Sequence, residues 1–230
     1  MLSNVVNNPI HNISPFTLLD YPDKTACIIW FAGCNMQCQY CYNPDIIDSK
    51  GKVSCGEALS FLKSRKGLLD GVVLSGGECT NYKGLVDFVV EIKKQGFKVK
   101  LDTNGSNPHV LKKLIEGNLI DYVALDFKAP KEKFFEITKS KLFERFENSL
   151  EMLVNSLIEF EVRTTVHNSL LSKADLNGMI AFLNIKGYRN KYYIQQFVND
   201  TATVGGLGYS KNDFSINDFD SEELELVLRN

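Results

Sequence analysis

Short apolar runs alternate along this chain with longer stretches whose apolar residues recur at helical spacing. Strand-like runs occupy residues 25–31, 72–75, 97–102, 120–127, 160–166 and 192–198. Between them, 54–66, 84–95, 108–116, 142–158 and 173–185 read as helices. In the second of these, Leu85, Phe88, Val89 and Ile92 fall at i, i+3, i+4, which puts one apolar stripe on one face. Gly67, Gly96, Gly117 and Gly187 follow helical stretches, as helix stops do. Strands alternating with helices imply a parallel sheet with crossover connections. A full eight-unit barrel takes about 250 residues, so a chain of this length has room for about six units. The expected fold is α/β, a partial (βα)6 TIM-type barrel of parallel strands with outer helices. It is read as a single domain over residues 1–230. In it, a turn-rich lead-in (1–24) covers one end of the first strand, the (βα)6 core spans 25–198, and a tail spans 199–230. The tail holds the run Gly205-Gly206-Leu207-Gly208, read as a flexible segment, and a short acidic helical pattern at 221–228.

Composition narrows the picture only a little. The 230 residues are 44% hydrophobic and 23% charged, enough for a sizeable core, and a formal net charge of -2 carries no electrostatic footprint for nucleic acid. The first eight residues lack the basic and apolar regions of a signal peptide, and no apolar run is long enough to span a bilayer. Six cysteines, three of them crowded together, are not spaced as a disulfide framework, so a reducing cytoplasm is the expected location and no membrane is expected as a partner.

The crowded cysteines carry the chemistry. Cys34, Cys38 and Cys41 lie within eight residues, on the loop that follows the first strand. Thiolates this close share a metal centre, and three rather than four ligands leave a metal position open. The reading is an iron–sulfur cluster with one iron kept for a small molecule. In parallel α/β folds, ligands bind at the carboxyl ends of strands. Those ends carry, after the cysteine loop, Gly76-Gly77-Glu78, Asp102-Thr103-Asn104-Gly105, Asp126-Phe127-Lys128, Arg163-Thr164-Thr165 and Gln195-Gln196. The alternative for the cysteines is a zinc knuckle that borrows Cys27 or Cys55.

With Cys-x3-Cys-x2-Cys after the first strand and Gly76-Gly77-Glu78 after the second, the chain resembles radical S-adenosylmethionine (SAM) enzymes. It is similar in particular to the glycyl-radical-enzyme activases, among them the activating proteins of anaerobic ribonucleoside-triphosphate reductases. The resemblance runs through residues 16–24, 33–35, 41–44, 101–105 and 121–128. It implies that Cys34, Cys38 and Cys41 hold one [4Fe–4S] cluster whose free iron takes SAM. Gly76, Gly77 and Glu78 would meet the methionyl end of SAM, Tyr40 would pack near adenine, and Arg163 would meet the SAM carboxylate. Asp102, Thr103 and Asn104 fall in an activase segment that organises a cation and the polar network beside SAM. Asp126 and Lys128 would contact SAM or orient a peptide substrate. The implied partners are a glycyl radical enzyme, first of all an anaerobic ribonucleotide reductase, and a flavodoxin- or ferredoxin-type electron donor.

The bland alternatives are an aromatic that merely buries the loop at Tyr40, a solvated ion pair at Asp126 and Lys128, a cap at Asp102 and a surface arginine at Arg163. Three positions depart from the activase pattern: Tyr42 stands where histidine is common, Cys79 where proline is common, and Gln195-Gln196 where some activases carry histidine. Cys27 and Cys79 read as small buried thiols, and Cys55 as a helix-start thiol that is either reactive or inert. Two other functions remain open at this point: a small-molecule enzyme resembling the 7-carboxy-7-deazaguanine synthases, and a non-catalytic iron–sulfur or zinc protein.

Overall fold

The computed structural model describes residues 8–211, 213–219, 221 and 223–229. The first seven residues of the lead-in and Glu222 of the expected tail helix lie outside the described residues. The fold is mixed α/β with a mostly parallel eight-stranded sheet in sequence order. The chain divides into two compact units.

Of the described residues, the first unit comprises 8–35, Asp45–Thr103 and Asn107–Val123. Its strands are β1 (Ile10–Thr17), β2 (Ala26–Phe31), β3 (Gly71–Gly76) and β4 (Lys98–Thr103). The one-turn helix α1 (Pro44–Ile47) and α2 (Cys55–Ser64) precede β3, α3 (Leu85–Lys94) precedes β4, and α4 (Pro108–Glu116) follows it. Strand β2 pairs in parallel with β3, from Ala26↔Gly71 to Phe31↔Gly76, and β3 pairs in parallel with β4. The residues that gave the sequence its periodicity are the core here. Ile29, Val72, Leu74, Leu85, Val89, Ile92, Val99, Leu101 and Leu114 are fully buried, each burial stabilising by about 1.5–3 kcal/mol. Helix α2 begins on a capping box in which Ser54 and Glu57 satisfy each other's backbone N–H groups.

The lead-in differs from expectation. Its residues Ile10–Thr17 form β1, which lies antiparallel to β2 and is fastened by the Trp30 indole donating to Ser14 Oγ at 2.8 Å. The register slips between Ser14 and Thr17, where Pro15 has no N–H to give a ladder.

Strand β5 (Tyr122–Asp126) starts in the first unit and ends in the second. The second unit also holds residues 36–44 and 104–106, helices α5 (Lys131–Thr138) and α6 (Phe143–Val154), strand β6 (Glu159–Val166), α7 (Lys173–Ile185), β7 (Lys191–Gln196) and β8 (Glu225–Arg229). Phe127 stacks on Phe146 at 4.7 Å, and Phe143 and Phe182 close the same aromatic cluster. A helix is expected at 221–228; there Glu225–Arg229 form strand β8, parallel to β7. The stretch carries both periods: Leu224, Val227 and Leu228 suit a helix, while Leu224, Leu226 and Leu228 suit a strand. Pairing decides, since Arg229 bridges both carboxylate oxygens of Glu161 at 3.2 and 3.3 Å and lies 3.4 Å over the Tyr193 ring.

Candidate active site

Within the first unit, the ends of β2 and β3 are sewn together by backbone. Gly33, at φ +84°, donates to Ile46 O and Cys34 N donates to Ile47 O, so α1 fixes where the cysteine loop begins. Gly77 N donates to Phe31 O and Glu78 N to Gly33 O, each at 2.9 Å. A Cβ on Gly76 would stand 2.3 Å from Phe31 O, and one on Gly77 would stand 2.0 Å from Gly33 O. Only glycine permits this approach. The two glycines therefore set the position of the residue before Cys34.

The Glu78 carboxylate is buried. Its Oε1 accepts from Thr80 N at 3.1 Å, from the Thr80 hydroxyl, and from Thr103 Oγ1 at 2.8 Å. Asn107 extends the network by donating to Thr80 Oγ1 and to Asn81 Oδ1, both at 2.9 Å. Asp102 accepts from Lys100 Nζ at 2.8 Å and from Ser75 Oγ at 3.3 Å, so it is a charge partner rather than a cap. The Lys100 side chain is only 2% exposed. Cys79 is buried, donating weakly to Asp102 O and Leu74 O, and burial, then the charges of Glu78 and Asp102, push its thiol well up. Cys27 is likewise buried in β2 and its thiol is pushed up by burial to about 12. Cys55 opens α2 yet burial raises it as well, and it donates to the Tyr82 hydroxyl at 3.5 Å. None of these three has the lowered pKa of a reactive thiol.

In the second unit, the last carbonyls of α5 receive the middle of the cysteine loop. Gln37 N donates to Thr138 O, Gln39 N to Ile137 O and Gln39 Nε2 to Glu136 O, at 2.9–3.1 Å. These are orphan carbonyls that any helix end must place somewhere. Cys38 and Tyr40 are buried, and the Tyr40 hydroxyl donates to Lys128 O at 3.1 Å. The Lys128 ammonium lies 5.9 Å from the Tyr40 ring centre and 3.0 Å from Asp126 Oδ2. Arg163 reaches Asp126 Oδ1 through Nε and Nη2, each at 3.0 Å. With side-chain exposures of 20% for Lys128, 21% for Asp126 and 14% for Arg163, this is neither a solvated pair nor a surface arginine. Burial alone would raise the Asp126 carboxyl, but Arg163 and Lys128 outweigh it and hold the group below the usual carboxylate range. For Lys128, burial is outweighed by Asp126 and then Cys38, and its pKa rises. Burial pushes the Cys38 thiol up to about 11, against the pull of Lys128. Loading a metal there must therefore displace a proton. Asn104 makes an Asx turn, its Oδ1 accepting from Ser106 N at 3.0 Å, and Gly105, at φ +72°, receives Ser149 Oγ at 2.7 Å.

The expected site residues thus fall into two groups. Cys34, Gly76, Gly77, Glu78, Asp102 and Thr103 fall in the first unit, and Cys38, Tyr40, Cys41, Asn104, Asp126, Lys128 and Arg163 in the second. Lys100, Thr80, Asn107 and the α5 carbonyls were not foreseen. Lys100 had a signal, a lysine between Val99 and Leu101 in an apolar strand and two residues before an aspartate, hence on the same side of the strand. The others had none.

The donor set fits an iron–sulfur cluster. All six cysteines are free. Among the described residues, no three His, Cys, Asp or Glu side chains close round a single ion. A cluster asks for something different, because each thiolate binds a different iron and the sulfurs stand farther apart. Cys38 lies buried near the Lys128 ammonium, whose positive charge offsets part of the burial that resists forming a thiolate there.

Comparison with known proteins gives the family. The model of the radical SAM superfamily matches residues 28–171. A protein of Methanocaldococcus jannaschii with the provisional name glycyl-radical enzyme activating enzyme is 33% identical over 198 residues, covering 82% of this chain and 79% of its own. The pyruvate formate-lyase-activating enzyme of Clostridium pasteurianum is 25% identical over 228 residues, covering 96% and 94%. Among solved structures, SuiB of Streptococcus suis bound to S-adenosylmethionine superposes with a TM-score of 0.69 at 12% identity, over 88% of this chain. This chain spans about half (52%) of that longer protein, and the likeness shows the α/β fold class expected from the sequence. The chain belongs to the radical SAM superfamily and, within it, to the glycyl-radical enzyme activating enzymes.

Proposed function

We propose that this activase generates a glycyl radical on an anaerobic ribonucleotide reductase, working as a single domain in the cytoplasm. The observation that carries the reading is the charged group Asp126–Lys128–Arg163, half-buried beside Tyr40 and Cys38 of the cysteine loop. The family match runs through both units, which supports one working domain. Cys34, Cys38 and Cys41 would hold one [4Fe–4S] cluster. When bound, the cluster and SAM would supply a 5′-deoxyadenosyl radical able to take a hydrogen atom from a glycine Cα of the partner.

This chain's own residues do the rest. Gly76 and Gly77 admit backbone close to the start of the cysteine loop, and their carbonyl groups would meet the methionyl end of SAM. Glu78, held by Thr80 and Thr103, is fixed in place to accept from the SAM ammonium. Arg163, already turned inward onto Asp126, supplies the fork for the SAM carboxylate. Asp126 and Lys128 hold each other and orient SAM or the glycine-bearing loop. Asp102, Thr103 and Asn104 continue the polar network, and Tyr40 packs by adenine. A flavodoxin- or ferredoxin-type protein delivers the electron.

The test is electron paramagnetic resonance on the reduced, loaded chain mixed with SAM and either an anaerobic ribonucleotide reductase or a pyruvate formate-lyase. A glycyl doublet with the reductase is expected. A doublet with the lyase alone would reassign the partner and leave the activase chemistry standing.

A further inference from the structure

The glycine-rich tail read as flexible is fastened to the cysteine loop. Val204 N donates to Cys41 O at 3.1 Å, and Gly205 N donates to Gln39 O at 2.8 Å. A Cβ on Gly205 would stand 2.8 Å from Gln39 Cβ and 2.9 Å from Gln39 Cα and O, so the contact exists only because residue 205 has no side chain. The far side of the loop is held as well. His167 Nε2 pairs with Gly208 O at 2.9 Å. A carbonyl only accepts, so Nε2 carries the proton, and Nδ1 then accepts from Ser169 N at 3.2 Å and pairs with Ser169 Oγ at 2.8 Å. The His167 ring meets Phe197 edge-on at 4.6 Å, Phe197 packs on Tyr42 at 5.4 Å, and the Tyr42 hydroxyl accepts from Val198 N at 2.8 Å. Beyond the loop, Ser210 is locked by Asn199 and Asn168. The turn carrying Cys38 and Cys41 is therefore gripped by the α5 carbonyls through Gln37 and Gln39, and by the tail through Gln39 and Cys41.

We infer that residues 203–208 form a built-in cover of the Gln39–Cys41 turn, with Gly205 and His167 as the positioning residues that keep Cys41 shielded and in place. Tyr42, a departure from the activase pattern, is part of this latch through Phe197 and Val198. Its function is to slow the approach of water, oxidants and chelators to the iron bound by Cys41. The inference rests on Cys41 being a cluster ligand, but the test runs first on the unloaded chain and does not depend on that reading.

The variants are Gly205→Ala and, as a control, Gly208→Ala, where a Cβ meets nothing within 4 Å. In the unloaded chain, iodoacetamide labelling resolved by mass spectrometry should be about tenfold faster at Cys41 in Gly205→Ala, the scale of losing one or two backbone hydrogen bonds to local opening. Cys55 labelling and the Gly208→Ala rates should match the parent. In the loaded protein, a ferrous chelator should strip iron faster from Gly205→Ala by a similar factor, and His167→Gln, which keeps an N–H for Gly208 O, should restore much of what His167→Ala loses. Unchanged Cys41 labelling in Gly205→Ala would overturn the inference, and so would equal acceleration in both glycine variants. Should Gly205→Ala not fold, hydrogen exchange in the parent decides. Slow exchange at the Val204 and Gly205 amides supports the cover, and exchange at unprotected loop rates refutes it.

Discussion

Asp126→Asn is the substitution whose consequences follow most directly from the geometry. The carboxylate stands 3.0 Å from Lys128 Nζ and 3.0 Å from both Nε and Nη2 of Arg163. An asparagine keeps the shape but removes the negative charge that both cations share, and turns one of the two acceptor atoms into a donor. Breaking a mostly buried ion group in this way costs about 3 kcal/mol, since two cations are left facing each other. For a chain of this size that lowers Tm by about 6–12 °C. Adding Lys128→Met should recover part of the loss by removing one of the stranded charges. The acid limb reports the same group. Because the Asp126 carboxyl is held below the usual range, its contribution is complete above the unfolded value, about pH 4, and fades as pH falls through the folded one. Urea melts of the unloaded chain near neutrality and at about pH 3 should therefore show a shallower acid loss in Asp126→Asn than in the parent. A loss below about 1 kcal/mol with an unchanged acid slope would refute the reasoning, for then the three groups are screened as surface charges are.

Three further outcomes can be checked. Gly77→Ala places a Cβ against Gly33 O and C, which are backbone atoms without freedom to yield, so thermal melts should show about 1–3 kcal/mol of destabilisation together with poor iron loading. Glu78→Ala removes the acceptor of the Thr80 amide, the Thr80 hydroxyl and the Thr103 hydroxyl and should cost about 3 kcal/mol by urea unfolding, whereas Glu78→Gln, which keeps an acceptor oxygen, should cost about 1 kcal/mol and act mainly by weakening SAM binding in calorimetry. Cys27→Ala and Cys79→Ala should retain most iron after anaerobic reconstitution, since both thiols are buried away as protonated side chains; loss of iron in Cys79→Ala would revise the ligand set.

The repeating core was legible because each element buries a face and the face writes its period into the sequence. Helix α4 and the strands around Ile29, Leu74 and Leu101 were read on that ground alone. Strand β1 escaped because Ser14-Pro15 interrupts it and because an edge strand needs only half a row of apolar residues. Helix α5 is short and opens after Pro130, so Phe134 and Ile137 gave too little repeat to register. At the site, the cysteine spacing and Gly76-Gly77-Glu78 stood out because ligation and close backbone approach demand particular residues at fixed intervals. The links from Thr103 to Glu78, from Asn107 to Thr80 and from Gly205 to Gln39 join residues tens to over a hundred positions apart. Only the folded chain brings them together, and none of those residue types announces its partner.

The central claim is that the three cysteines make this chain a SAM-cleaving activase. The measurement that meets it most directly is 5′-deoxyadenosine formation by the anaerobically reconstituted, reduced protein given SAM, set against Cys38→Ala treated identically. The account predicts 5′-deoxyadenosine and methionine from the parent and neither from Cys38→Ala, which should also fail to hold its cluster. A fully loaded parent that forms no 5′-deoxyadenosine, or a Cys38→Ala variant that keeps both cluster and activity, would contradict it.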